Sequence, residues 1–160
     1  MEVALGKPLD LKKLGGWFGL LDGLQRKHDG TVQRPLTDSE RRVVELAGPF
    51  LVDTEHGAYT KSFKLVVLRS LLDMKALRTG AALSDVALNS RLRIFGDPRL
   101  AMDLDDAAGS FADPARPTAT EWLAYWRKNP IAAWVGGKWF DLDGDVLRLA
   151  IDIPDDLGGA

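Results

Sequence analysis

The stretch Tyr59–Arg78, YTKSFKLVVLRSLLDMKALR, constrains the fold of this chain more than any other. Phe63, Leu65, Val66, Val67, Leu68, Leu71, Leu72, Met74 and Leu77 are apolar, at spacings that fit a helix with a wide buried face. A run this apolar predicts a central helix packed by neighbours on most sides. Its entry is different. Thr60 is placed to cap the helix by accepting from a backbone N–H two or three residues on. Lys61, Ser62 and Lys64 then crowd the first turn, where cations oppose the helix dipole. Two readings follow. Either a Thr cap is followed by solvated lysines, or an anion is held at the helix start, with phosphate the first candidate.

The rest of the chain reads as helices around that one. Leu9–Arg26 carries Leu11, Leu14, Phe18, Leu21 and Leu24 at helical spacing, diluted by four glycines, and Lys27–Pro35 is a loop. Thr37 and Glu40 have capping-box spacing and open a helix that should stop near Gly48-Pro49. Phe50–Tyr59 is a connector with one strand-like piece at Phe50–Val52. Its His56-Gly57 turn lies just before the central helix, which should end at Arg78-Thr79-Gly80. Leu83–Phe95 predicts a helix capped by Ser84, with Val86, Ala87, Leu92 and Phe95 inward. Asp97-Pro98 starts a short helix or turn through Leu104, and Asp103–Pro117 reads as an acidic surface loop. Thr118–Lys128 is a short helix that Asn129-Pro130 breaks or restarts. Trp139–Ile151 predicts a β-hairpin about Asp143-Gly144. The expectation is a mainly α fold: one compact helical domain, residues 1–152, around a central buried helix, with a small C-terminal hairpin. Residues 153–160 (IPDDLGGA) read as a flexible tail or linker.

Composition narrows the chemistry. The 160 residues are 46% hydrophobic and 28% charged, which suits one domain with a real core. A net charge of −2 does not announce a nucleic-acid binder, but the distribution of charge decides that, not its sum. There is no cysteine, which removes disulfides and thiolate metal sites. No apolar run reaches membrane-span length and no signal peptide is visible, so a cytoplasmic protein is expected. His28 and His56 lack metal-ligand spacing, and no nucleophile elbow, P-loop or dinucleotide fingerprint occurs. DLDGD at 141–145 faintly suggests a calcium loop, but its spacing fails and a hairpin turn explains it better. No catalytic residue, metal or cofactor is therefore expected.

Binding chemistry has more support. Lys61, Ser62 and Lys64 can contact phosphates, with His56, Gly57, Tyr59 and Thr60 just ahead of them. Arg91 and Arg93 offer guanidinium forks for phosphates or base edges. Each residue also has a plainer role: an exposed loop histidine, Tyr59 as a hydrophobic staple, Arg91 in a surface ion pair. A second stretch, YWRKNPIAAWVGGKWF at 125–140, sets Asn129, Pro130 and Ala133 on one side of a tight turn. Such small apolar surfaces suit a soft, weakly hydrated atom such as sulfur better than ionised oxygen, which needs donors. Packing of a proline-started turn with Trp134 is the plainer account.

TKSFKLVVLRSLLD, followed later by NPIAAW and WF, resembles the sulfur-binding domain of type IV, McrA-like restriction endonucleases, from about Phe50 to Leu149. That family binds double-stranded DNA carrying a phosphorothioate, in which sulfur replaces a non-bridging phosphate oxygen. In it a Tyr-Pro-x-x-Ala turn and an arginine form a shallow apolar sulfur pocket. The resemblance maps this pocket onto Asn129, Pro130 and Ala133, with Asn129 in place of the usual tyrosine. Arg91 in NSRLRIF matches the arginine, with Arg93 second. It further implies that Lys61, Ser62 and Lys64 hold the phosphate backbone, and that His56, Ser90 and Arg91 read base edges. A nuclease, which this chain lacks by motif, would be a fused or associated domain. The expected function is thus targeting of phosphorothioated DNA without catalysis. The alternative is a helical protein–protein interaction module whose Trp122, Trp126, Trp134 and Trp139 form a partner surface.

Overall fold

The structure, a computed structural model, describes residues 36–157, less the side chains of 105–108. The expected Leu9–Arg26 helix and Lys27–Pro35 loop lie outside the described residues. The fold is mainly α with a small antiparallel sheet. The chain divides into two compact units, Met1–Ala58 with Ile153–Ala160 and Tyr59–Asp152.

In the first unit, α1 spans Asp38–His56. Thr37 and Glu40 form the expected capping box, the Thr37 hydroxyl accepting from Glu40 N at 3.1 Å and the Glu40 carboxylate accepting from Thr37 N at 2.8 Å. The helix does not stop at Gly48-Pro49. It runs through Pro49, and Phe50–Val52 is helical, not strand-like. An interior proline costs about 3 kcal/mol in lost hydrogen bonding and ring clash. Ala47 and Phe50, one turn apart on either side of Pro49, are both buried, so the two halves of the helix bury one face. His56 is consequently the last helical residue and not part of a turn. Residues 153–157 are not a free tail: Asp155–Leu157 forms a 3-10 turn against α1, Leu157 is buried, and Arg42 pairs with Asp156 at 2.9 Å.

The second unit is built on α2, Phe63–Asp73. Phe63, Val66, Val67, Leu68 and Leu71 are buried, as the apolar run predicts. The helix is shorter than expected at both ends. Its N-cap is Ser62 in place of Thr60, and it closes at Met74. Ala76 N donates to Leu71 O and Lys75 N to Leu72 O, the paired bonds of a Schellman motif, with Lys75 left-handed at φ 54°. Gly80 follows at φ 80°, and a Cβ there would meet Leu147 O at 2.9 Å. The chain has to pass that close because β1, Ala81–Ala82, pairs with the hairpin.

Then α3, Leu83–Gly96, packs on α2. Ala82 stands at its N-cap, and Ser84 does not cap it. Val86 and Ala87 are inward as expected, but Leu92 and Phe95 are exposed. Between the two helices Ser70 and Ser90 share a fully buried hydrogen bond at 3.0 Å. Next, α4 (Pro98–Ala101) is capped by Asp97, and a 3-10 segment covers Met102–Ser110, where a loop was expected. The fifth helix, α5, spans Ala119–Trp126 behind a Thr118/Glu121 capping box. Its Trp122 and Trp126 stack at 4.8 Å, and Phe63 and Phe111 pack against them. Trp122 Nε1 donates to Ala87 O at 2.8 Å. The chain continues as a π-turn, Arg127–Ile131, and a last helix, α6, Ala132–Val135. Strands β2 (Phe140–Asp143) and β3 (Val146–Leu149) form the expected hairpin, with β1 added on β3. Asp143 pairs with Val146, so the loop is Gly144-Asp145, one residue later than predicted. Gly144 takes φ 60°, which the first position of a two-residue hairpin loop demands.

Candidate nucleic-acid interface

An anionic group does stand at the entry of α2, and it is a side chain of the protein itself. Ser62 N donates to Asp103 Oδ2 at 2.6 Å, and Lys61 Nζ donates to Asp103 O at 2.9 Å. Ser62 and the Lys61 charge hold the Asp103 carboxyl below the usual carboxylate range, while its burial works the other way. A carboxylate at a helix N-terminus satisfies an orphan N–H and complements the dipole. Lys61 also lies over the Phe63 ring at 5.4 Å. Lys61, which looked misplaced in sequence, thus has a partner, invisible there because it lies about forty residues downstream.

Lys64 is placed differently. Its ammonium sits 4.9 Å from the centre of the Trp134 ring, and its backbone carbonyl accepts from Trp134 Nε1 at 3.1 Å. The first turn of α2 and the Pro130–Trp134 stretch, two motifs some seventy residues apart, therefore meet. The turn itself has a definite cause. Pro130 has no N–H, and its ring would crowd the carbonyl four residues back, that of Trp126. The helix widens instead, with Ala132 N donating to Arg127 O, five residues back. The ring of Pro130 is buried with Ile131 and Trp134 beneath the turn, so it is not itself the surface that the resemblance implies. Lys128, Asn129, Ala132 and Ala133 are exposed along the outside. The outer face is thus a patch of one amide and two methyl groups beside a cation. Arg127, at the start of the turn, is held by Asp145 of the hairpin loop at 2.6 Å.

The other candidates are dispersed. Ser90 is completely buried against Ser70 and is out of reach of a base edge. Arg93 is paired with Asp73, which also binds Arg69 at 3.0 Å. Arg91 opens onto a groove of about 320 Å3 between α3 and the first turns of α5, with Ala119 and Thr120 on the far wall. Pro130 and Ala133 follow the other end of α5, so Arg91 is not brought to the turn. His56 and Gly57 are exposed and belong to the first unit. Tyr59 is half-buried and Thr60 exposed, without the capping role expected of Thr60. Of the four tryptophans of the alternative reading, Trp122, Trp126 and Trp134 are 1%, 0% and 5% exposed and belong to the core, while Trp139 is half-buried.

Sequence reasoning missed two residues here. Asp103 left no local signal. Lys128 did, as a cation directly before Asn129-Pro130, and its side chain has neither ion pair nor hydrogen bond among the described residues. No group of His, Cys, Asp or Glu among the described residues could hold a metal ion, and none of their helices is long and apolar enough to cross a membrane. No family model, curated protein or solved structure matches the chain.

Proposed function

We propose that the Tyr59–Asp152 unit recognises double-stranded DNA carrying a phosphorothioate, as the targeting module of a modification-dependent restriction enzyme whose nuclease lies in another domain or protein. The reading starts from the resemblance of the TKSFK and NPIAAW motifs. The observation that carries it is the meeting of these two motifs at Lys64 and Trp134. In this scheme Lys64 and Lys128 take backbone phosphates, giving sequence-neutral, salt-dependent affinity. Asn129 and Ala133, held out by the π-turn, face the modified link. Pro130 acts from below by shaping the turn. Sulfur keeps the charge of the oxygen it replaces but is less hydrated, so contact with the Ala133 methyl costs less desolvation. One fitted contact of this kind contributes about 1–3 kcal/mol of discrimination. Ser62 N–H is available to a phosphate only if Asp103 withdraws.

Matched gel shifts with modified and unmodified duplexes of one sequence test the division of labour. Ala133→Glu should abolish the preference for the modified duplex. Lys128→Ala should weaken both duplexes alike and lower the salt slope by about 1. If Ala133→Glu keeps the wild-type preference, the sulfur contact is not at this turn.

A further inference from the structure

The outer face of the turn at 127–133 carries little hydrogen-bonding chemistry. Arg127 is committed to Asp145 of the hairpin loop at 2.6 Å. Ala132 and Ala133 end in methyl groups, and Lys128 brings a charge that any phosphate satisfies. Asn129 alone brings a donor and an acceptor side by side. The residue is exposed, and its side chain makes no hydrogen bond among the described residues. Its backbone, by contrast, is fixed. Asn129 O accepts from Ala132 N, and the next residue, Pro130, is buried and locked in φ by its ring. The amide is thus an open fork on a rigid mount, flanked by side chains too small to cover it.

A fork of one donor and one acceptor is selective among bases. In the major groove adenine presents its N7 acceptor beside its N6 amino donor, the complement of an amide. Guanine presents two acceptors there, cytosine a donor, and thymine an acceptor beside a methyl, so none of them matches both amide atoms. The minor groove has no such edge, since A·T and T·A look alike in it. Width makes the same choice. A helical turn with its side chains is about 10–12 Å across, which suits a major groove of about 12 Å and not a minor groove of about 6 Å. We infer that Asn129 reads an adenine beside the modified link from the major groove, its amide donating to N7 and accepting from N6. The inference rests on the proposed function, which brings the turn to DNA, and adds the base that the turn selects. Two neighbouring side chains then have separate tasks: Ala133 answers to the atom on phosphorus and Asn129 to the base.

Duplexes with one phosphorothioate, alike except for the base pairs next to it, test this with the full chain by fluorescence anisotropy at fixed salt. Wild type should bind the duplex with adenine in one flanking position more tightly than those with the other bases there, by roughly 5- to 100-fold. 7-Deazaadenine, which keeps the N6 amino group but lacks the N7 acceptor, should remove most of that preference. Asn129→Leu, which keeps the bulk of the side chain without its hydrogen bonds, should lose the adenine preference and be indifferent to 7-deazaadenine, with circular dichroism confirming its fold. Equal wild-type affinity whatever the flanking base overturns the inference. So does an adenine preference that survives in Asn129→Leu or with 7-deazaadenine. If wild type still prefers modified to unmodified DNA in those cases, the proposed function stands without this inference. An adenine preference that depends on N7 and Asn129, in a wild type indifferent to the phosphorothioate, supports the inference and contradicts the proposed function. No binding of any duplex contradicts both.

Discussion

Asp103 does for the central helix what a bound anion would do in one of the two readings of its sequence. Its carboxylate takes the Ser62 N–H at 2.6 Å, and its backbone carbonyl holds Lys61. This has two measurable consequences. The carboxyl is depressed below its ordinary value near 3.8. A group depressed by folding adds stability that is present above its unfolded pKa and lost as pH falls through its folded one. In acid titrations of stability, wild type should therefore decline more than Asp103→Asn below that ordinary value, and the gap between them should be level above it. The second consequence concerns ligands. If phosphate competes for the same N–H, Asp103→Asn should bind modified and unmodified duplexes more tightly by a similar factor. A control, Asp113→Asn, removes an equal charge from an exposed site that only caps its own turn through Ala115 N. Equal gains from the two variants would mean that net charge, not the helix entry, is responsible.

Among the elements, the helices were legible where local rules and burial agreed. The Thr37/Glu40 box, the apolar centre of α2 and the hairpin were all readable from spacing alone. Both prolines misled for one reason. A proline removes one hydrogen bond, and that local penalty is offset when residues on each side bury a common face, as Ala47 and Phe50 do. At Pro130 the helix keeps its course by widening to a π-turn. The ends of α2 were hidden for another reason. Its N-terminus is satisfied by a distant residue, and its C-terminus closes on Lys75 in the left-handed region, where glycine or asparagine is the readable signal. Ser90 was misplaced because a polar residue on a helix reads as surface until its partner on the neighbouring helix is known. That pairing can be tested by urea unfolding. The Ser70 hydroxyl donates to Val66 O at 2.8 Å, which leaves Ser90 to donate to Ser70. Ser70→Ala strands a buried donor and should cost about 1–3 kcal/mol. Ser90→Ala leaves Ser70 bonded to Val66 and should cost less. The reverse order would show that the hydroxyls point the other way.

At the scale of the whole molecule, net charge was no guide to the site. Many of the basic side chains are committed within the fold: Arg93 and Arg69 to Asp73, Arg127 to Asp145, Lys61 to Asp103. Lys64 lies against Trp134, and Lys128 is open beside Asn129. The candidate surface was legible as two motifs, but their meeting was not, since it depends on Trp134 reaching across to Lys64. The same packing removed Arg91 and Ser90 from the site and placed Arg91 beside an exposed apolar stripe instead. The proposed function places the distinction between sulfur and oxygen at the turn at 127–133. The most direct measurement is the equilibrium affinity of the wild-type chain for two duplexes of one sequence, differing only in a single phosphorothioate, at fixed salt. The account predicts tighter binding of the modified duplex by roughly 10- to 200-fold. Equal affinity for the two, or no binding of either, would contradict it.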